Sequence, residues 1–236
     1  MCSSDLAFAQ ALQRETGLGD PWCDGRLRFR TAPVVLPRAR AHAIAEAAAE
    51  LAAVHDEVAH LVVADPELAS VFLGLTRWQL GMWQCSAPDW HGLARADVFV
   101  TADVPRVFEL NSDTPSGLAE AVWLSERAAA AAPGTQDPNA GLRPRWLAML
   151  RTAAARCGHR GPLTVGIVYP TEMTEDLAMI ALLRRWLQAD GHRVELGSPF
   201  NLTLADDGRA ALFDTPCDVV VRHYKTDWFE IGRSHV

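Results

Sequence analysis

The chain has 236 residues, 49% hydrophobic and 22% charged, enough to bury a core in one large or two small domains. A net charge of −7 and a pI near 5.6 argue against nucleic acid or an anionic membrane surface as the general partner. No apolar run reaches the roughly 18–20 residues that a membrane span needs, so no membrane partner is expected.

Taken in order, the N-terminus (Met1 to Leu6) has neither the basic start nor the apolar segment of a secretory signal, and a cytoplasmic protein is expected. The five cysteines, Cys2, Cys23, Cys85, Cys157 and Cys217, are widely spaced without a C-x-x-C pair, which predicts free thiols in a reducing compartment. A short helix is predicted over Ser4–Glu15, followed by a turn-rich stretch with a brief extended piece at Val34–Leu36. Arg38–Val63 is alanine-rich and helical in propensity, with one apolar stripe of Ile44, Leu51, Val54, Val58 and Leu61. His42, His55 and His60 lie along it without H-E-x-x-H spacing, so solvated or structural histidines are expected. Asp65 as N-cap and Pro66 at the first position predict a further helix carrying Leu68, Val71, Phe72 and Leu75. Trp78, Met82, Trp83 and Trp90 are expected to close a core between helices.

Residues 95–111 alternate around a turn at 102–105, the pattern of a β-hairpin. If the pairing is symmetric about Asp103, Asp97 faces Glu109 and Arg95 faces Asn111, all on one face. The other face collects Ala96, Val98, Val100, Arg106, Phe108 and Leu110. Opposed carboxylates repel. A hard cation such as Mg²⁺ relieves that repulsion, and two carboxylates with an amide carbonyl suit it; the alternative is an exposed hairpin whose charges are solvated. Asp113 to Gly117 reads as a turn launching a helix, with Asp113, Thr114 or Ser116 as cap and an anion favoured at its N-terminus.

A loop at 132–139 is the best linker candidate, and a helix from Gly141 to Arg156 follows. Leu163–Tyr169 and Asp218–Arg222 are short apolar runs of the buried parallel-strand type, and Arg193–Leu196 is another strand. Between the first two lie a helix at Glu175–Ala189, stopped by Gly191, and a small hairpin at Leu202–Phe213. Strand–helix–strand order predicts an α/β unit whose functional ends are the carboxyl edges, near Tyr169–Glu175 and Arg222–Lys225. No G-x-G-x-x-G follows the first strand and no G-x-x-x-x-G-K-[ST] occurs, so neither a dinucleotide site nor a P-loop is supported.

Arg95-x-Asp97 and Glu109-x-Asn111-x-Asp113-Thr114-Pro115-Ser116 resemble the synthetase domain of the glutathionylspermidine synthase family, circularly permuted ATP-grasp ligases. The twelve-residue separation of Asp97 and Glu109 matches as well. Thr171 to Asp176 and Val221 to Trp228 look like two further blocks of a bacterial branch, so the likeness runs from about residue 70 to residue 228. The resemblance implies a cytoplasmic ATP-dependent carboxylate–amine ligase working through an acyl phosphate, with small-molecule acid and amine substrates, ATP and Mg²⁺. By motif, Asp97, Glu109 and Asn111 would hold Mg²⁺. Arg95 and Ser116 would contact the acyl substrate or the phosphoryl group, and Asp113, Thr114, Glu172, Glu175 and Arg222 would bind substrate.

The implied fold class is α/β (α+β). Residues 1–140 would form a helical region with the metal-carrying hairpin, part of a permuted ATP-grasp domain. Residues 141–228 would form a small, mostly parallel pre-ATP-grasp-like domain, and 229–236 a tail. Two features depart from the family. The lysines and glycine-rich loop that hold its nucleotide are expected beyond residue 236, and Phe229 to Arg233 replaces the usual Trp-Gly-Glu-Arg. A non-catalytic α/β substrate-binding domain, or an inactive fragment, is the alternative expectation.

Overall fold

The computed structural model describes residues 3–19, 21–65, 67–85, 92–101, 104–225 and 228. The chain is mixed helix and sheet, and it divides into two compact units, Met1–Val35 with Asp113–Val236, and Leu36–Ser112. Trp90 and Asp103, named above for the aromatic patch and the hairpin turn, lie outside the described residues, as do Pro66, Thr226 and Asp227.

The first unit begins with α1 (Ser3–Thr16), which buries Ala9 and Leu12. A two-residue strand pair comes next, β1 (Trp22–Cys23) with β2 (Arg26–Leu27). Val34–Leu36, expected to be extended, forms no strand and is exposed.

The second unit holds α2 (Arg38–Ala64), which starts where the expected run starts, since alanine propensity makes the stretch helical. Its expected stripe is not sealed. Val54, Val58 and Leu61 are 53%, 42% and 62% exposed, and Val62 is the buried residue of the helix. The histidines behave as expected, His55 and His60 bonding back to the Leu51 and Asp56 carbonyls and His42 pairing with Glu46. Asp65 ends α2 rather than beginning a helix of its own, although its Oδ1 accepts from the Glu67 N–H. In place of the expected helix stands a single π-type turn, Leu68–Phe72, with Ala69 buried and Val71 and Phe72 outside. Thr76 and Gln79 form a reciprocal capping box at the start of α3 (Arg77–Gln84). Trp78 and Met82 on it are exposed, at 65% and 49%, so they do not close a helix–helix core. The antiparallel pair β3 (Arg95–Val100) and β4 (Pro105–Asn111) completes this unit, with α2 packed along it.

The first unit resumes with α4 (Leu118–Ala131) and α5 (Leu142–Arg156). Next come β5 (Thr164–Val168), a 3₁₀ turn at Thr174–Asp176, α6 (Leu177–Ala189) and β6 (Arg193–Gly197). After them comes a small antiparallel sheet, β7 (Leu202–Leu204), β8 (Ala210–Leu212) and β9 (Thr215–Pro216), and then β10 (Val219–Arg222). The strands expected from the apolar runs form a parallel sheet, in the order β10-β5-β6, with β5 paired on both edges. Trp146 on α5 and Trp186 on α6 meet at a tilt of 55°, 6.0 Å between ring centroids, and Arg185 covers the Trp123 ring of α4 at 5.4 Å. The Arg28–Glu120 and Arg127–Glu15 ion pairs tie the N-terminal segment to α4.

One face of β5 is met by the small antiparallel sheet. Leu212 and Cys217 pack on Val168, and a Cβ placed on Gly166 would stand 2.9 Å from Cys217 Sγ. Only glycine admits so close a neighbour. Gly166→Val is expected to destabilise the protein by about 1–3 kcal/mol through overpacking, read from urea unfolding. Burial also pushes the Cys217 thiol above its ordinary value of 9.0. The folded chain therefore holds that proton more tightly than the unfolded one. This contribution to stability is present below pH 9.0 and is lost as pH rises through the folded value. Thiol labelling of the native protein should modify exposed Cys23, Cys85 and Cys157 first, and reach Cys217 only on unfolding.

Candidate functional site

The β3–β4 register pairs Asp97 with Glu109 and Arg95 with Asn111, as the alternation in sequence predicts. It shifts by one residue immediately afterwards, Val98 pairing with Val107, so Phe108 is the extra residue of a β-bulge. The symmetric register therefore fails beyond Asp97. Phe108 does not join Val98 and Leu110 on the apolar face; it is 74% exposed and meets Phe99 edge-on at 5.7 Å between ring centroids.

Four polar side chains link up at this bulge. Arg95 donates through Nε to Asp97 Oδ1 at 3.0 Å. With its amide nitrogen towards Glu109, Asn111 donates to Glu109 Oε1 at 3.0 Å and accepts from Arg95 Nη2 at 3.3 Å. Asp97 is thus met by the guanidinium and Glu109 by the amide that the guanidinium holds, which leaves a net charge of −1. The repulsion that motivated a cation is relieved in part by Arg95 itself. As donors, two carboxylates on adjacent strands still suit a hard divalent ion that keeps several waters. The Asn111 oxygen, turned to Arg95 here, becomes a third donor only if the amide rotates. Among the described residues no group of three or more His, Cys, Asp or Glu gathers at one place. A site here rests on two carboxylates and an amide.

The remaining predicted residues belong to the first unit. The α4 N-cap is Gly117 in the left-handed conformation, with no side-chain capping bond, so none of Asp113, Thr114 and Ser116 caps the helix as expected. Gly117 takes a φ of +90°, which costs a side chain dearly, and Thr114 takes +54° despite its branched Cβ. Asp113 has another role: its Oδ1 accepts from Arg222 Nη2 at 2.7 Å, across 109 residues of chain. Ser116 is exposed beside Gly117.

Arg222 ends β10, and β10 and β6 lie on opposite sides of β5. The chain leaves β5 for one side and later returns to the other, so the carboxyl ends of β5 and β10 flank the reversal in strand order. Open α/β sheets bind ligands at such a point. Two residues there escaped the sequence reading as site residues, His223 and Asp176. His223 is 4% exposed; its N–H donates to the Val168 carbonyl at 2.7 Å and its Nε2 lies 3.3 Å from Asp176 Oδ1. Both fall inside the motif blocks already singled out, one just after a strand and the other just before a helix. Glu172 and Glu175 are exposed on the segment that leaves β5, and neither bonds to Arg222.

No protein-family model matches this chain, and no curated protein matches it significantly. No helix among the described residues is long and apolar enough to cross a membrane.

Arg95→Met would leave Asp97 and Glu109 facing each other without their shared cation. Expected is a loss of about 0.2–1 kcal/mol at low salt, the range of a cross-strand charge pair. Mg²⁺ should restore part of it, in thermal melts run with and without the ion. Identical Mg²⁺ responses in variant and wild type would show that the two carboxylates do not share their charge.

Proposed function

We propose that this chain carries the metal-holding strand pair of an ATP-dependent carboxylate–amine ligase resembling the glutathionylspermidine synthase family. One observation carries the reading: the pairing of Asp97 with Glu109 beside Arg95 and Asn111 sets the resembling motifs on one face of one strand pair. In such a ligase a substrate carboxylate oxygen attacks the γ-phosphorus of ATP, giving an acyl phosphate and ADP. An amine nitrogen then attacks the acyl carbon, loses its proton and expels inorganic phosphate. A Mg²⁺ ion held by Asp97, Glu109 and Asn111 would supply neutralisation of the nucleotide phosphates.

The chain's own residues do the rest. Arg95 keeps Asp97 oriented and carries a guanidinium to an oxygen that gains negative charge during transfer. Ser116 offers a hydroxyl beside the start of α4. In the first unit Arg222, braced by Asp113, suits the substrate carboxylate through a two-pronged guanidinium contact. Glu172 and Glu175 suit a cationic amine, and Thr114 shapes the turn next to Asp113. The pre-ATP-grasp-like character of the α/β region, and a cytoplasmic location where ATP is supplied, belong to the same reading.

A second reading has its own support. The closed Arg95–Asp97–Asn111–Glu109 set offsets half of its carboxylate charge without an ion and gives every member a partner, as a non-catalytic substrate-binding domain would. Mn²⁺ titration by calorimetry separates the metal claim: wild type is expected to bind and the Asp97→Asn, Glu109→Gln double variant not to. Equal binding removes the metal site. Catalysis is tested with hydroxylamine as a surrogate amine and a panel of small carboxylic acids. Hydroxamate should form with ATP and Mg²⁺ and be lost in the double variant; none with wild type would favour the non-catalytic reading.

A further inference from the structure

At the amino edge of the parallel sheet, the edge away from Arg222, a cavity of about 430 Å³ opens where α5 and α6 end and the chain enters β5. That volume lies within the range of small-ligand sites. Its walls are largely apolar, made by Ala154, Ala155, Pro162 and Leu163.

The polar groups around it are set by one buried ring. The His192 side chain is 2% exposed; its Nδ1 accepts the Leu163 N–H at 3.0 Å, so Nε2 carries the ring proton and donates to Asp190 Oδ2, also at 3.0 Å. Arg151 Nη2 donates to the same carboxylate oxygen, so the charge of Asp190 is met from within the wall. Helix C-termini favour cations, yet the last turns of α5 and α6 close on themselves, His159 N–H to the Ala154 carbonyl and His192 N–H to the Leu187 carbonyl, both at 3.0 Å. His159 is engaged too, with Asp218 at 3.3 Å. Arg160 is left over: exposed at the rim, it has no hydrogen-bond or ion-pair partner among the described residues. The Arg151 guanidinium also retains N–H groups beyond its bond to Asp190. An apolar slot with uncompensated positive charge at its mouth selects a ligand that is apolar in body and negative at one end.

We propose that this cavity binds a small organic carboxylate, with its apolar chain against Ala154, Ala155 and Leu163 and its head on Arg160 and Arg151. The site shares no residue with the hairpin or with the Asp113–Arg222 edge, and it stands whether or not the ligase reading does.

The test is an ¹H–¹⁵N NMR titration of the full chain with hexanoate, hexylamine and inorganic phosphate at constant ionic strength. Hexanoate should give saturable shifts centred on the Leu163 amide, hexylamine none there, and phosphate weaker binding. Arg160→Ala, a change at an exposed position, should weaken hexanoate binding about tenfold, the loss expected for one charged hydrogen bond. Arg160→Lys should keep part of the affinity. Shifts that do not saturate, equal shifts with hexylamine, or unchanged affinity in Arg160→Ala would overturn the proposal. Phosphate binding as tightly as hexanoate would overturn the apolar-body selectivity.

Discussion

The first unit depends on how β5 is held. Both of its edges are hydrogen-bonded, to β6 and to β10, and each of its ends is fastened by a histidine. The Leu163 N–H, just before the strand, goes to the His192 ring, and the Val168 carbonyl, at its last residue, takes the His223 N–H. Buried backbone groups need partners, and β5 finds them on strands that lie about 30 and 55 residues further along the chain. Its face must also be bare at Gly166, because Cys217 and Leu212 close over it. These constraints bring Arg222 and His223 to the edge where Asp113 and Asp176 wait.

The hairpin of the second unit works by different physics. Little apolar surface is sealed there: α2 buries Val62, the π-type turn buries Ala69, and α3 buries nothing. The strand pair is ordered instead by its ladder, by the bulge at Phe108 and by the polar chain from Asp97 through Arg95 and Asn111 to Glu109. Placing two carboxylates across a strand pair is costly unless charge is shared, and the arginine two residues along the strand shares it. The same arrangement leaves carboxylate oxygens at the surface with a residual negative charge.

Much of this was legible in local pattern. Alternation fixed the pairing of Asp97 with Glu109 because side-chain direction repeats every two residues. It failed beyond Asp97 because a bulge depends on how the strand must twist, and no residue type in Val98–Val107 announces it. The alanine-rich helix matches its expected bounds closely, but Val54, Val58 and Leu61 of its apolar stripe are exposed. Periodicity says which residues share a face, not whether anything covers that face. Capping failed for a related reason: Asp113, Thr114 and Ser116 all have capping chemistry, yet Gly117 took the position, and Asp113 turned to a partner 109 residues away.

The sequence by itself determined the mixed class, the strand pair with its facing carboxylates, and the parallel strands with their chemistry-rich carboxyl ends. These are local properties, written in periods of two and 3.6 residues and in turn residues. Only the tertiary structure decided that the Leu163 N–H meets the His192 ring. It also decided that Arg222 meets Asp113, that His223 is buried against Asp176, and that an arginine-rimmed cavity forms behind His192. Each of these joins groups whose spacing along the chain carries no period, and only the folded backbone sets their distance.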